Sequence, residues 1–490
     1  MVVNSLNFLL FFIVVFTVYY LPGIRQYAVR QNVWLLLTSY FFYGFVDWKM
    51  LPILLGVTVL FYWLGKQVKN SLDEGNKKKA SHFQNAGVVI GVGLLLYFKY
   101  LNFFAESVAD LLNQLGLHVS WTTLNIVLPV GVSFFTFKLI SYVIEIKRKK
   151  TQPAESLLEF ATYISFFPTI LSGPIDRPTA FLPQLRKNHD FKYDKAVDGC
   201  RQILWGMFTK MCIADNLAST TTVAWSSFES CTSQQLLYAA LLSPIQVYAD
   251  FDGYSNMAIG VGKILGFDII KNFNHPLLAR NVSEYWNRWH MSLTSWITDY
   301  VFTPLSLKFR DWRMYGIYLA ITINLVLIGL WHGANWTYAV FGIYHSLLFI
   351  PLIVTGSFAK IRKIKSNSHG LPFLKDVANM ILTYLLIAIG HIIFFAKDVK
   401  SAFAYFQSLL NFNGYTSLRL DSMGQKYIIY LFILVLIIVE WISRNKEHGL
   451  SLGNSKIVKS ETFRLLVYAL LFLLCITMSG KHSDFIYFKF

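Results

Sequence analysis

The chain returns repeatedly to apolar runs long enough to cross a lipid bilayer. That recurrence limits its possible folds more than any motif does. Runs of about 20 apolar residues span the hydrocarbon core as helix. Candidate spans fall at Leu6–Leu21, Val33–Val46, Leu51–Leu64, Ala86–Phe104, Leu124–Ile146, Leu157–Ile175, Gln202–Leu217, Leu236–Gly262, Tyr315–Leu330, Asn335–Val354, Val377–Phe395, Tyr427–Ile442 and Phe463–Met478. Of 490 residues, 55% are hydrophobic, 17% aromatic and 14% charged, whereas ordinary globular domains carry roughly 25% charged residues. A soluble fold of this length cannot hide that much apolar surface. The fold class is therefore an all-α polytopic membrane protein. Gly and Pro interrupt several runs and mark re-entrant or tilted segments. The first run has no basic residue before it and no small-residue cleavage site after it, so it reads as retained helix rather than signal peptide.

The formal net charge of +17 is concentrated in a few connections: KKKASH from Lys77, KRKK at Lys147–Lys150, KFRDWR at Lys308–Arg313, KIRKIK at Lys360–Lys365, and Arg444 to Lys459. The connection from Ala105 to Thr123 has no Lys or Arg. Cytoplasmic loops carry the basic excess, which explains this charge by topology and anionic headgroups, with no nucleic acid as partner. The later basic loops have the wrong parity for simple crossings, so one candidate span between the fifth and the eighth fails to cross. Four cysteines, Cys200, Cys212, Cys231 and Cys475, lie far apart without CxxC and read as packing residues, neither disulfide framework nor metal site.

The organisation is a single membrane-embedded domain over 1–490 whose character changes along its length. Residues 1–150 read as outer-wall helices, 155–350 as the central region that works, and 357–490 as C-terminal wall. The middle carries Pro, Trp, Asp, Asn, Arg and His at membrane depth. Polar groups are expensive there and face a protein interior or a wet cavity.

Four stretches of that middle could do chemistry. SEYWNRWHMSLTSWITDYVFTPL (283–305), placed on one helix, aligns Trp286, Trp289, Leu293, Trp296 and Tyr300 on one stripe and Arg288, Ser292, Ser295 and Asp299 on the other, with Pro304 ending it. This is either an interfacial Trp belt with an incidental histidine, or an amphipathic wall to a wet path with His290 at its edge. NLVLIGLWHGANWTYAVF (324–341) sits in an apolar run too long for one span, which divides at WHGAN. Gly333 permits a kink or close approach and puts His332 at the mouth or bottom of a cavity, flanked by Trp331, Asn335 and Trp336. An imidazole suits a base that takes and returns a proton near neutral pH; a hydrogen-bonded core histidine is the other reading, and the one given to His345. SPIQVYADFDGYSNMAIGVG (243–262) interrupts an apolar helix with Tyr248, Asp250, Asp252 and Tyr254. Two carboxylates in a span serve an ion pathway, orient a histidine, or accept hydrogen bonds from neighbouring helices. FFPTILSGPIDRP (166–178) reads as a broken helix that shapes the cavity, and as a candidate for the element that fails to cross. P-loop, HExxH and a strand-borne GxGxxG are missing from the sequence, and its GxSxG match, GLSLG at 449–453, lies in the basic stretch Arg444 to Lys459 rather than at a strand–turn–helix elbow, so hydrolytic triads and nucleotide hydrolysis are not indicated.

WNRWHMSLTSWITDYVFTPL followed by LWHGANWTYAVFGIYH resembles the paired signature of membrane-bound O-acyltransferases, closest to their bacterial alginate O-acetylase-like branch, with the D-alanyl transfer proteins of teichoic acid modification as near relatives. LPVGVSFFTFKLISYVIEIKR (128–148), FFPTILSGPIDRP, VYADFDGYSNMAIG and FIYFKF (485–490) follow the branch in order, so the resemblance covers nearly the whole chain. It implies a ring of transmembrane helices around a thin central region with re-entrant or tilted helices, in a bacterial inner or plasma membrane. It also implies transfer of an acyl group, acetyl-CoA being the expected donor, to a surface polysaccharide or to an exported or membrane-anchored acetyltransferase partner. His332 matches the family's near-invariant histidine and His290 its second functional one. No permanently bound cofactor or metal is expected. The acyl-donor or acceptor path would run past Trp286, Arg288, Trp289, Trp331, Asn335, Trp336, Asp299, Tyr248, Asp250, Asp252 and Tyr254. The chain departs from the branch at IGHIIFFAKD, where His391 replaces a more typical aromatic, and after Pro304, where a small Gly-rich piece is lacking. Two other classes compete: an ion-coupled transporter or flippase built on Asp250 and Asp252, which would move ions without consuming thioester, and a non-catalytic assembly scaffold, which would tolerate loss of the histidines.

Overall fold

The computed structural model describes residues 3–120, 123–124, 126–359, 364–368, 370–411, 427–451 and 460–480. The motif FIYFKF, residues 360–363 of KIRKIK and residues 452–459 of the last basic stretch lie outside them. Helix accounts for 75% of the structure and no strand is found among the described residues, which is the all-α membrane architecture the composition requires. The chain forms two compact units, residues 1–200 with 258–270 and residues 201–257 with 271–490.

The first unit contains α1 (Leu6–Tyr19), α2 (Pro22–Arg25), α3 (Ala28–Asp47), α4 (Leu51–Asp73), α5 (Lys77–Leu95), α6 (Leu101–Gln114), α7 (Val132–Lys147), α8 (Leu157–Ser165) and α9 (Pro178–Leu185); α10 (Tyr193–Met207) begins in it. Local chemistry sets several starts. Ser5, Asn76 and Ser156 each accept a hydrogen bond from the first turn of the helix that follows, which satisfies donors that have no intrahelical partner. The turn Trp48–Met50 divides the apolar run Ala28–Asp73 into helices of 20 and 23 residues, each long enough to cross about 30 Å of hydrocarbon. Gly87 and Gly91 of α5 face Val143 and Ile140 of α7 so closely that a Cβ at Gly91 would lie 2.6 Å from Ile140. Small residues four apart let two membrane helices approach in this way.

Ala105–Thr123 is not the bare connection its lack of basic residues suggests. A π turn over Leu96–Tyr100 joins α5 to α6, and helix persists to Gln114. Glu106, Asp110 and Asn113 recur at helical spacing and carry a polar face through this stretch. In the FFPTILSGPIDRP region α8 has only nine residues, about 13 Å of helix, before the chain turns at Phe166.

The second unit holds the rest of α10, α11 (Asp215–Ser226), most of α12 (Ser233–Ile264), α13 (Val282–Trp286), α14 (Met291–Ile297), α15 (Thr303–Lys308), α16 (Arg313–His332), α17 (Trp336–Leu347), α18 (Ile350–Val354), α19 (Leu374–Phe395), α20 (Val399–Leu410), α21 (Ile428–Ser443) and α22 (Glu461–Thr477). The run from Tyr315 to Val354 divides at WHGAN as expected. His332 is the last residue of α16, and Asn335 caps α17 by accepting from Thr337 N at 3.0 Å.

The single helix expected over 283–305 is broken. α13 stops at Trp286, residues 287–290 turn, α14 follows, a π turn covers Thr298–Phe302, and α15 continues to Lys308. The break centres on His290. His290 is in the left-handed region (φ 43°, ψ 52°), which a non-glycine residue occupies only when its surroundings hold it there. The Trp and polar stripes therefore do not run unbroken. Pro304 does not end the segment; it lies in the first turn of α15, where a missing N–H is tolerated.

Candidate active site

The left-handed turn at His290 is fastened to the loop before it. Asn274 N donates to Arg288 O at 3.0 Å and Met291 N to Asn272 O at 2.7 Å, so residues 272–274 and 288–291 run side by side. The Asn272 side chain ties the loop to the imidazole. Its Nδ2 donates to Ser255 Oγ at 3.1 Å, and its Oδ1 accepts from Ser292 Oγ and from His290 Nδ1, both at 2.9 Å. An amide oxygen can only accept, so the His290 proton sits on Nδ1 and the Nε2 lone pair is the basic one. Burial holds the His290 pKa far below its usual 6.5, at about 3, because an imidazolium is costly away from water. The ring is neutral at physiological pH.

His332, at the C-terminal end of α16, is buried among aromatic rings: Trp331 at 5.1 Å between centroids, Phe394 at 5.0 Å and Tyr338 at 6.5 Å. The Tyr338 ring occupies the space a side chain at Gly333 would need, which explains glycine there. Trp331 packs against His290 as well, at 5.4 Å. Two imidazoles from different elements thus share one indole.

Other expected residues take distinct places. Trp286 Nε1 donates to His345 Nδ1 at 3.4 Å. Trp289 stacks on Tyr285 at 5.4 Å and approaches Phe273 and Tyr248. Arg288 binds Glu284 at 2.8 Å and the Asn274 carbonyl at 3.0 Å. Burial works against the Glu284 carboxylate, yet hydrogen bonds from Arg280 and the Arg288 charge keep its pKa below the usual range. Tyr254 is buried on α12. Asn335 spends its side chain on the α17 cap and on Lys397 O at 2.8 Å, Trp336 is 55% exposed, and Asp299 is exposed. A small pocket lies beside the histidine turn, lined by Tyr285, Trp289, Pro276, Thr383 and Tyr384 among others.

Asp250 and Asp252 have separate partners. Asp250 pairs with Lys210 at 2.5 Å, which also binds Asp215 at 2.7 Å. Asp252 accepts from Asn256 Nδ2 at 2.8 Å. Among the described residues no group of three or more His, Cys, Asp or Glu is placed to hold a metal.

Asn272, Phe394 and Glu440 were not foreseen. Glu440 had a signal: it is the one carboxylate in the apolar helix Ile428–Ser443. Asn272 and Phe394 had none, because their importance comes from what the fold brings to them.

The model of the membrane-bound O-acyltransferase family matches residues 151–386, a range that contains both histidine segments. The chain is 32% identical to a Pseudomonas aeruginosa protein named probable alginate O-acetylase AlgI, over 88% of this chain and 81% of that one. It is 26% identical to a peptidoglycan O-acetyltransferase of Helicobacter pylori over 94% and 91% of the two chains. Similarity to a teichoic acid D-alanyltransferase of Bacillus subtilis is 32% over 46% of this chain and 58% of that one. Similarity along most of the chain joins the histidine geometry: the protein is an enzyme that belongs to the membrane-bound O-acyltransferase family.

Proposed function

We propose that this protein takes an acetyl group from acetyl-CoA on the cytoplasmic side of the bacterial inner or plasma membrane. The group is delivered to a hydroxyl of an extracytoplasmic polysaccharide, directly or through an exported or membrane-anchored acetyltransferase partner. The observation that carries the reading is the pair of buried imidazoles, His290 and His332, on one indole. Relatives named for alginate, peptidoglycan and teichoic acid support an acceptor that is a hydroxyl-bearing envelope polymer.

Coenzyme A is large and polyanionic and does not cross lipid, so donor and acceptor must meet within the protein. His332 acts as general base. It takes the acceptor's hydroxyl proton as the oxygen attacks the thioester carbonyl; the C–S bond then breaks, and the proton passes to the departing thiolate. General-base catalysis contributes about 10²–10⁴-fold. His290, neutral and fixed in tautomer, orients the reacting groups. Trp286, Trp289, Trp331 and Arg288 line the path, and the basic loops draw in the donor's phosphates.

The test is His332→Ala in protein that inserts normally. Release of coenzyme A from acetyl-CoA in the presence of acceptor, and acetyl incorporation into surface polysaccharide, should both fall by at least 10²-fold. Unchanged release and incorporation would remove His332 from the chemistry.

A further inference from the structure

α21 is apolar from Ile428 to Ser443 except at Glu440, whose side chain is buried. An ionisable group within an apolar membrane helix is costly, and its partners point to its use. Tyr248 of α12 donates its hydroxyl to Glu440 Oε1. His275 Nδ1 lies 3.9 Å from the same oxygen. Asp252, one turn beyond Tyr248, and Lys271 lie within electrostatic reach of Glu440, and Lys271 Nζ donates to Lys446 O just past α21 at 3.2 Å. Glu447 and Arg288 act on the same lysine.

These partners converge on the loop that presents His290. His275 is left-handed, φ 53°, and stands next to the paired stretch 272–274 whose Asn272 holds the His290 ring. The loop is therefore held at two places. One is Asn272, held by Ser255. The other is near Glu440, where the Tyr248 ring packs on Phe273 at 5.6 Å, Lys271 bonds to Lys446 O and the His275 ring lies beside the carboxylate without a hydrogen bond to it. We infer that Glu440 is a positioning residue for the acyl-transfer site, a clamp that acts through Tyr248 and its ring contact with Phe273 to fix the loop 271–291 and with it the His290 imidazole. The inference rests on the acyl-transfer reading for its effect on rate, but not for its effect on the loop. Misplacing a catalytic group by about 1 Å from a distance costs about 10²-fold in rate.

Purified full-length protein in detergent, turning over acetyl-CoA, supplies the test, with hydrogen exchange of the loop as a second readout. Glu440→Leu should lower kcat by about 10²-fold with KM for acetyl-CoA unchanged, and should speed exchange in 271–291 while Lys77–Gln114 stays as it was. Glu440→Gln, whose amide oxygen still accepts from Tyr248, should recover most of the rate and the protection. Wild-type kcat and exchange in Glu440→Leu, or equal losses in the Leu and Gln variants, would overturn the clamp. Should Glu440→Leu fail to accumulate, Tyr248→Phe removes the same hydrogen bond and keeps the ring; wild-type turnover and loop exchange there would overturn it too. His290→Ala and His332→Ala run alongside. If both turn over thioester normally, the acyl-transfer reading fails, and loop exchange still decides the clamp.

Discussion

The most apolar 18-residue windows of the run Lys77–Gln114 and of the helical run Trp336–Val354 have nearly the same mean hydropathy, 1.8 and 1.7, yet 6% of the first window and 44% of the second is buried inside the protein. Hydropathy alone does not separate a helix that greets lipid from one that lines a core, because lipid tails and buried side chains are equally apolar. What differs is the company. The second run carries His345, Gly342 and Tyr338, all buried; the first has few buried positions, and where it meets another helix it does so through glycine. A polar or small residue in an apolar span marks the inward face.

Substitutions sharpen that contrast, and the largest effect belongs where backbones touch. A Cβ at Gly342 would lie 2.5 Å from Val326 Cα and 2.6 Å from Leu325 O, so neither side can yield by rotating a side chain. Gly342→Leu should separate α16 from α17 and leave no monodisperse protein in size-exclusion chromatography. Next comes the buried triad. Lys210→Met strands Asp215 and Asp250 side by side without their cation, and breaking a buried pair costs about 3–5 kcal/mol. A thermal melt in detergent should show a large drop. Lys69→Met on α4 breaks a pair whose side chains are 35% and 58% exposed, and should move stability by about 0.5 kcal/mol or less.

Acid provides a third probe of the buried side. An unfolded His290 takes up a proton near pH 6.5, while the folded one, held down by burial, does so only near pH 3. Between those values the unfolded state binds the extra proton, so stability is lost as pH falls. By pH 5 the loss is on the order of 2 kcal/mol, and His290→Gln should flatten that limb of a stability-versus-pH curve. Smaller still is Asn335→Ala, which removes the α17 cap at about 1 kcal/mol; a melting temperature equal to wild type would show that the bond to Thr337 contributes nothing.

The membrane class, the division at WHGAN and the two histidine segments were legible because each is a local signal: an apolar run, a glycine-bearing interruption, a polar residue where polar residues are costly. The break within 283–305 was not. Trp and Ser at helical spacing fit one continuous helix, and the chain departs from it because Asn272, some twenty residues earlier, offers His290 a better partner than the helix does. The separate partners of Asp250 and Asp252 were equally hidden, since two carboxylates two residues apart read as one feature although they leave a helix in different directions. Site geometry here depends on contacts between distant segments, which periodicity does not encode.

A pair of glycines tests the contrast most finely, because both lie within one helix. Gly91 and Gly93 are both on α5, two residues and about 200° apart. A Cβ at Gly91 would meet Ile140 of α7 at 2.6 Å, whereas one at Gly93 would meet nothing within 4 Å. Both glycines cost the helix the same intrinsic propensity, so any difference between Gly91→Ala and Gly93→Ala isolates packing from propensity. Gly93→Ala should raise stability in the detergent melt by about 0.5–1 kcal/mol, because alanine is the better helix former and its Cβ meets nothing. Gly91→Ala should be less stable than Gly93→Ala by about 1–3 kcal/mol, the usual penalty for overpacking a close approach. Equal melts for the two variants would mean that the glycine spacing of α5 does not mark its inward face, and the rule drawn from comparing the two apolar runs would fail at its simplest instance.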